Sequence, residues 1–132
     1  MPDKSKRVLI VDDEADLRDF AQAALEDDGY QFAFATNGAE ALERAAAERP
    51  DLIVMDVQMP TKDGFAALYD IRHDPALKAI PVILLTGIAE KTGVRFNADT
   101  VKEYMGEQPD AYFDKPVDPA KLREAARKLL GK

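Results

Sequence analysis

The sequence predicts an α/β fold, a doubly wound five-stranded parallel sheet with five helices. Three observations carry that prediction. Val8-Leu9-Ile10-Val11, Leu52-Ile53-Val54-Met55 and Val82-Ile83-Leu84-Leu85 are apolar runs without alternation, the pattern of strands buried on both faces. Between the runs, apolar residues recur instead at helical spacing. Buried parallel strands need helices on both faces, and right-handed crossovers leave double winding as the economical arrangement.

The elements follow in order. After the first run and its acids Asp12-Asp13-Glu14, the residues Leu17, Phe20, Ala21, Ala24 and Leu25 share a helical face. Asp13, Glu14 and Asp16 suit that helix's N-terminus and Gly29 its C-terminal cap. Tyr30 to Ala35 reads as a short strand. Asn37 with Glu40 has the spacing of an N-cap and its third helical residue, and the alanine-rich helix that follows turns Leu42, Ala45 and Ala46 inward before stopping at Arg49-Pro50. The strand Asp51–Asp56 ends at Met59-Pro60, and Asp63-Gly64 opens a helix with Phe65, Leu68 and Ile71 on one face. Pro75 and Pro81 punctuate the link to the strand over residues 82–87. Thr100-Val101-Lys102-Glu103 has a capping-box pattern for a fourth helix, while Gly93 to Asn97 reads as an excursion. Ala111 to Asp114 is a fifth strand. Asp118 as N-cap and Pro119 at the first turn start the last helix, whose core face is Leu122, Ala125, Ala126, Leu129 and Leu130.

Composition narrows the function classes. A chain of 132 residues is most simply one domain over 1–132, with its core from about residue 7 to 130. The formal net charge of −7 argues against direct binding to nucleic-acid backbones. With no cysteine and one histidine, disulfides, thiolate sites and multi-histidine metal sites are excluded. No apolar signal core or membrane-length segment is present, so a cytoplasmic location is expected. His73, between Arg72 and Asp74 at a helix end, reads as a solvated side chain.

The chemistry gathers at the strand ends. In this fold every strand points its carboxyl end at one edge, where open α/β sheets place their ligands. That edge would collect Asp12, Asp13, Asp56, Thr86 and Lys115, which are scattered over about a hundred positions. Each alone is a turn former, a cap or a surface charge. Together, three carboxylates repel one another unless a cation joins them, and an all-oxygen set favours a hard ion such as Mg2+. Adjacent strand residues point to opposite faces, so Asp12 and Asp13 can approach one ion only where the strand unwinds. Lys115 and Thr86 complete a phosphoryl-binding set, and Asp56 is placed as a carboxylate nucleophile.

Those residues carry a resemblance. Val11-Asp12-Asp13-Glu14, Met55-Asp56-Val57-Gln58-Met59-Pro60 with Asp63-Gly64, Leu85-Thr86-Gly87 and Asp114-Lys115-Pro116 stand in the order and spacing of the receiver domains of two-component response regulators. The sequence resembles that family from Val8 to Leu130. The resemblance implies a flavodoxin-like sheet of order 2-1-3-4-5. It implies that Asp56 accepts a phosphoryl group from a histidine of a sensor histidine kinase or histidine phosphotransfer protein. It further implies Mg2+ held by Asp12, Asp13, Asp56 and the backbone carbonyl of Gln58, phosphoryl contacts from Thr86 and Lys115, and a cis Lys115-Pro116 peptide bond. Gly87 would leave room for the donor. Tyr112 holds the family's position for an aromatic that swings as Thr86 moves, altering the surface of the fourth helix, fifth strand and fifth helix. The core chemistry would be confined to the domain's own phosphorylation and dephosphorylation.

The sequence also departs from the family. The span from Thr86 to Tyr112 is several residues longer than usual, and an enlarged loop over 88–99 is expected. Ile88 is apolar where it flanks the phosphoryl site, which would screen attacking water. The expected domain is either a stand-alone receiver acting on a downstream protein or a piece of a regulator with an output domain, and either a monomer or a phosphorylation-dependent dimer. Other function classes are weaker fits. An Mg2+-dependent aspartyl-phosphate phosphatase would want a second acid where Gln58 stands. A flavin-binding protein would want a hydroxyl- or glycine-rich loop after the first strand. A docking module that is never phosphorylated would not need all the chemical positions filled.

Overall fold

A computed structural model describes residues 6–57, 62, 64–86, 109–115 and 117–131. Its elements are β1 (Arg7–Val11), α1 (Ala15–Leu25), a 3-10 turn (Glu26–Asp28), β2 (Gln31–Ala35), α2 (Gly38–Glu48), β3 (Leu52–Asp56), α3 (Gly64–Arg72), β4 (Val82–Thr86), β5 (Ala111–Asp114) and the C-terminal helix α4 (Pro119–Leu129). The five strands form one parallel sheet in the order β2-β1-β3-β4-β5. The expected helix near residues 100–105 and the expected loop over 88–99 lie outside the described residues, so four of the five predicted helices are in view, α4 being the last of them. No helix among the described residues is long and apolar enough to cross a membrane.

The alternation of strand side chains divides the core in two. Leu9, Val11, Ile53, Met55, Val82 and Leu84 face α2 and α3, meeting Ala41, Ala45, Ala67, Leu68 and Ile71. Val8, Ile10, Leu52, Val54, Ile83 and Leu85 face the other way, onto Ala21, Ala24 and Leu25 of α1 and Leu122 and Ala126 of α4. β3 and β4 are buried along their whole length, as unalternating runs require. Each such Leu, Ile or Val contributes about 1.5–3 kcal/mol by leaving water, which makes the central strands a rigid mount.

The caps follow the sequence. Asn37 accepts the Glu40 backbone N–H at 2.8 Å, and Asp118 accepts that of Ala120 at 2.9 Å. The Glu40 carboxylate reaches back to the Thr36 backbone N–H at 2.6 Å and its hydroxyl at 3.0 Å. Gly29 takes a left-handed φ of 79°, but it closes the 3-10 turn that prolongs α1 rather than α1 itself.

Two helical faces differ from expectation. In α2 the buried residues are Gly38, Ala41 and Ala45, with Leu42 partly buried and Ala46 exposed. A run of alanines offers an apolar side chain at every angle, so its phase is set by packing against β1 and β2 rather than by composition. In α1, Phe20 is 37% exposed, because Ala21, Ala24 and Leu25 set the inward stripe and Phe20 lies one residue, roughly 100°, around the helix from Ala21. His73 is exposed as expected, with its ring stacked on Tyr69 at a centroid distance of 4.0 Å and Nδ1 2.8 Å from the Tyr69 carbonyl oxygen.

Candidate functional site at the carboxyl edge of the sheet

The site is assembled where β1 unwinds. Asp12 still donates its backbone N–H to Ala35 at 3.1 Å, one residue past the end of β1. Its Oδ1 then accepts the Glu14 backbone N–H at 3.0 Å, an Asx turn that bends the chain off the sheet. Arg18, from the first full turn of α1, donates Nη1 to the Asp12 carbonyl at 2.8 Å. This turn resolves the geometric objection to two adjacent acids sharing a site. One carboxylate oxygen from each of Asp12, Asp13 and Asp56 lies within 4.8 Å of the others. Asp12 and Asp56 are buried, each 4% exposed, while Asp13 is open to solvent.

Asp56 ends β3 at a crowded junction. Val57 donates to the Leu85 carbonyl at 2.9 Å and accepts the Gly64 backbone N–H at 2.8 Å, so α3 starts hard against the strand end. A Cβ at position 64 would stand 2.5 Å from the Asp56 carbonyl oxygen and 2.8 Å from the Val57 Cα. Only glycine permits this approach. A helix-opening glycine carries no sequence signal for this contact, which belongs to tertiary structure.

Lys115 crosses the edge from beyond β5. Its Nζ lies 2.9 Å from Asp56 Oδ1 and 3.3 Å from Asp12 Oδ2, and its backbone N–H donates to the Thr86 carbonyl at 2.7 Å. Thus β1, β3 and β5 each lead a charged side chain to one point, and β4 is tied to it through the Thr86 carbonyl, as the sheet order dictates.

The charges are held under tension. Burial pushes the Asp12 carboxyl up to about 6, against the Glu14 N–H, with the charge of Asp56 adding to the rise and Lys115 opposing it. Burial likewise raises Asp56, opposed by the hydrogen bond and charge of Lys115 and reinforced by Asp13. Burial also disfavours the Lys115 ammonium, but Asp56 and then Asp12 outweigh it and hold the ammonium above its ordinary range. One ammonium among three carboxylates leaves the cluster short of positive charge. An oxygen-only set with that deficit fits a hard divalent cation such as Mg2+.

Thr86 is fully buried at the end of β4, and its neighbour Tyr112 packs on the same sheet face, against the α2–α3 core. Burial pushes the Tyr112 phenol up to about 12, Thr86 pulling it down and Asp114 pushing it further up. The phenol oxygen is buried, with the Thr86 side chain as its polar neighbour. The expected Gln58 carbonyl ligand, Gly87, Ile88 and the Lys115-Pro116 peptide bond lie outside the described residues.

Comparison with known proteins agrees with this geometry. Residues 8–127 match the response regulator receiver domain family. The chain is 33% identical over 126 residues to response regulator Rre1 of Synechocystis sp., covering 95% of this chain and 52% of that protein. It is 33% identical over 134 residues to the probable transcriptional regulator ycf27 of Porphyra purpurea, covering 98% of this chain and 49% of that one. The chain therefore spans about half the length of these relatives. Among solved structures it is similar to the signal receiver domain of a signal transduction histidine kinase from Syntrophus aciditrophicus, with a TM-score of 0.81, 32% identity and coverage of 96% and 91% of the two chains. A putative response regulator from Chloroflexus aurantiacus superimposes with a TM-score of 0.82 at 26% identity, covering 98% of this chain and 100% of that one. The sheet order, the acid cluster and these similarities converge: the chain belongs to the response regulator receiver domain family.

Proposed function

We propose that the chain is a single receiver domain that works as a phosphorylation-dependent signalling switch, with Asp56 as phosphoacceptor. The observation that carries this is a buried carboxylate on the rigid end of β3, paired with the Lys115 ammonium at 2.9 Å and flanked by Asp12 and Asp13. In the proposed step a carboxylate oxygen of Asp56 attacks the phosphorus of a phosphohistidine. The phosphorus–nitrogen bond breaks, its electron pair returns to the imidazole, and an acyl phosphate forms on Asp56. Lys115 neutralises charge on the transferred oxygens, and the Thr86 hydroxyl donates to one of them. Asp12, Asp13 and Asp56, with the Gln58 carbonyl, would hold Mg2+, which when bound supplies the missing positive charge.

The same reading assigns the readout. Thr86 moves toward the phosphoryl oxygens and Tyr112 turns into the space it leaves, which alters the surface around β5 and α4; the helix expected near residues 100–105, the third part of that surface, lies outside the described residues. The donor is a sensor histidine kinase or histidine phosphotransfer protein, and the recipient is a downstream protein or an output domain. The domain catalyses nothing beyond its own phosphorylation and dephosphorylation. To test this, wild type and Asp56→Asn are treated with acetyl phosphate and Mg2+ and weighed by intact-mass spectrometry. One phosphoryl adduct is expected on wild type and none on the variant. An equal adduct on the variant, or none on either, refutes the assignment.

A further inference from the structure

We propose that Arg18 is a positioning residue for the divalent-cation site, acting through the peptide that joins Asp12 to Asp13. The inference rests on the reading of Asp12, Asp13 and Asp56 as metal ligands.

The β1 ladder ends at Asp12. The Asp12 N–H is the last backbone group of this strand to pair with β2, and its side chain is turned back by the Glu14 N–H. The Asp12 carbonyl continues neither pattern. It points instead at α1, where Arg18 Nη1 meets it at 2.8 Å. That carbonyl belongs to the peptide plane that leads into Asp13, so its orientation sets where the Asp13 carboxylate emerges. Asp13 needs such guidance more than its partners. Asp56 is fixed by β3 and Lys115, and Asp12 by the Asx turn and Lys115. Asp13 is exposed, yet its carboxylate lies within 4.8 Å of both. Arg18 is itself anchored from behind, because its backbone N–H donates to Glu14 at 3.1 Å within the same turn. It therefore ties the start of α1 to the metal-facing loop by a single charged hydrogen bond, in the manner of an outer group that orients a ligand without touching the ion.

The sign of the expected effect separates this role from simple electrostatics. A cation beside an acidic cluster repels a divalent ion, so removing its charge alone tightens metal binding. Removing a positioning contact weakens it, typically by about 10- to 100-fold. The test titrates Mn2+, followed by electron paramagnetic resonance with Mg2+ as competitor, into wild type, Arg18→Met, Arg18→Gln and Arg18→Lys. Circular dichroism and melting without metal report folding. The expected result is weaker Mn2+ binding by about 10-fold or more in the Met and Gln variants, with partial recovery in Arg18→Lys, which keeps one donor. In acetyl phosphate labelling, the Mg2+ concentration for half-maximal rate rises while the rate at saturating Mg2+ stays near wild type. Unchanged or tighter Mn2+ binding in folded Arg18→Met or Arg18→Gln overturns the positioning role alone. Failure of wild type to bind Mn2+ overturns the metal reading and this proposal with it.

Discussion

The two edges of the sheet treat charge in opposite ways. At the amino edge, acids and bases are tied to backbone and to each other. Arg7 donates its N–H to Asp51 at 2.9 Å, its guanidinium to the Glu48 carbonyl at 2.8 Å, and pairs with the Glu48 carboxylate at 3.3 Å. Asp110 accepts the Val82 N–H at 2.8 Å and Arg72 at 2.7 Å, while Arg72 also donates to the Ile80 carbonyl at 2.9 Å. These contacts staple the start of β1 to β3, and the start of β4 to β5. At the carboxyl edge, two carboxylates are buried beside a third with one ammonium among them, and burial raises both buried groups. One edge holds the sheet together; the other holds a charge imbalance that the fold tolerates because the first edge and the core supply the stability.

Substitutions can break or sharpen that contrast. The largest effect is expected from Asp56→Asn. It removes all phosphorylation yet raises stability without Mg2+ by about 1 kcal/mol, read in chemical denaturation, because a carboxylate whose ionised form is disfavoured by the fold is replaced by a neutral isostere. A fall in stability would mean that the Lys115 pair outweighs the burial. Gly64→Ala touches both properties. Its Cβ meets backbone atoms that cannot yield without moving Asp56, so a loss of about 3 kcal/mol with slower labelling is expected.

At the other edge, Asp110→Ala leaves the Val82 N–H without its partner, removes one of the Arg72 contacts and should cost about 2 kcal/mol in denaturant melts. The labelling rate of the folded variant should stay within about twofold of wild type. A large rate effect there would erase the distinction between the edges. The smallest effect is at Glu40, whose carboxyl is held below its ordinary range by the Thr36 N–H and hydroxyl. A lowered folded value means stability that is present above the unfolded pKa and lost as pH falls through the folded one. Wild type should therefore exceed Glu40→Gln most at neutral pH, and the gap should close in acid unfolding curves. A gap independent of pH would assign the effect to packing rather than charge.

What the sequence disclosed, and what it hid, follows the same division. The buried strands were legible because Val8 to Val11, Leu52 to Met55 and Val82 to Leu85 have no polar residue to lose. Asp12, Asp13, Asp56 and Lys115 were legible because strand direction alone brings strand ends together. Helical phase was not. Ala46 and Phe20 face solvent because neighbouring side chains fit the sheet better, a choice made by shape and not by polarity. Leu77 is buried from a link that the prolines marked only as punctuation. The staples at Arg7 and Arg72 and the contact from Arg18 were hidden for another reason. Each joins a long side chain to a backbone carbonyl, a contact that neither polarity nor periodicity marks in the sequence.

The central claim is that one carboxylate, Asp56, becomes an acyl phosphate. Borohydride reduces an acyl phosphate to an alcohol, converting the labelled aspartate to homoserine and releasing phosphate. The protein is treated with acetyl phosphate and Mg2+, reduced, digested and sequenced by mass spectrometry. Homoserine is expected at position 56, with aspartate unchanged at positions 12 and 13. Homoserine at another position, or none anywhere in a sample that carried the phosphoryl adduct, would contradict it.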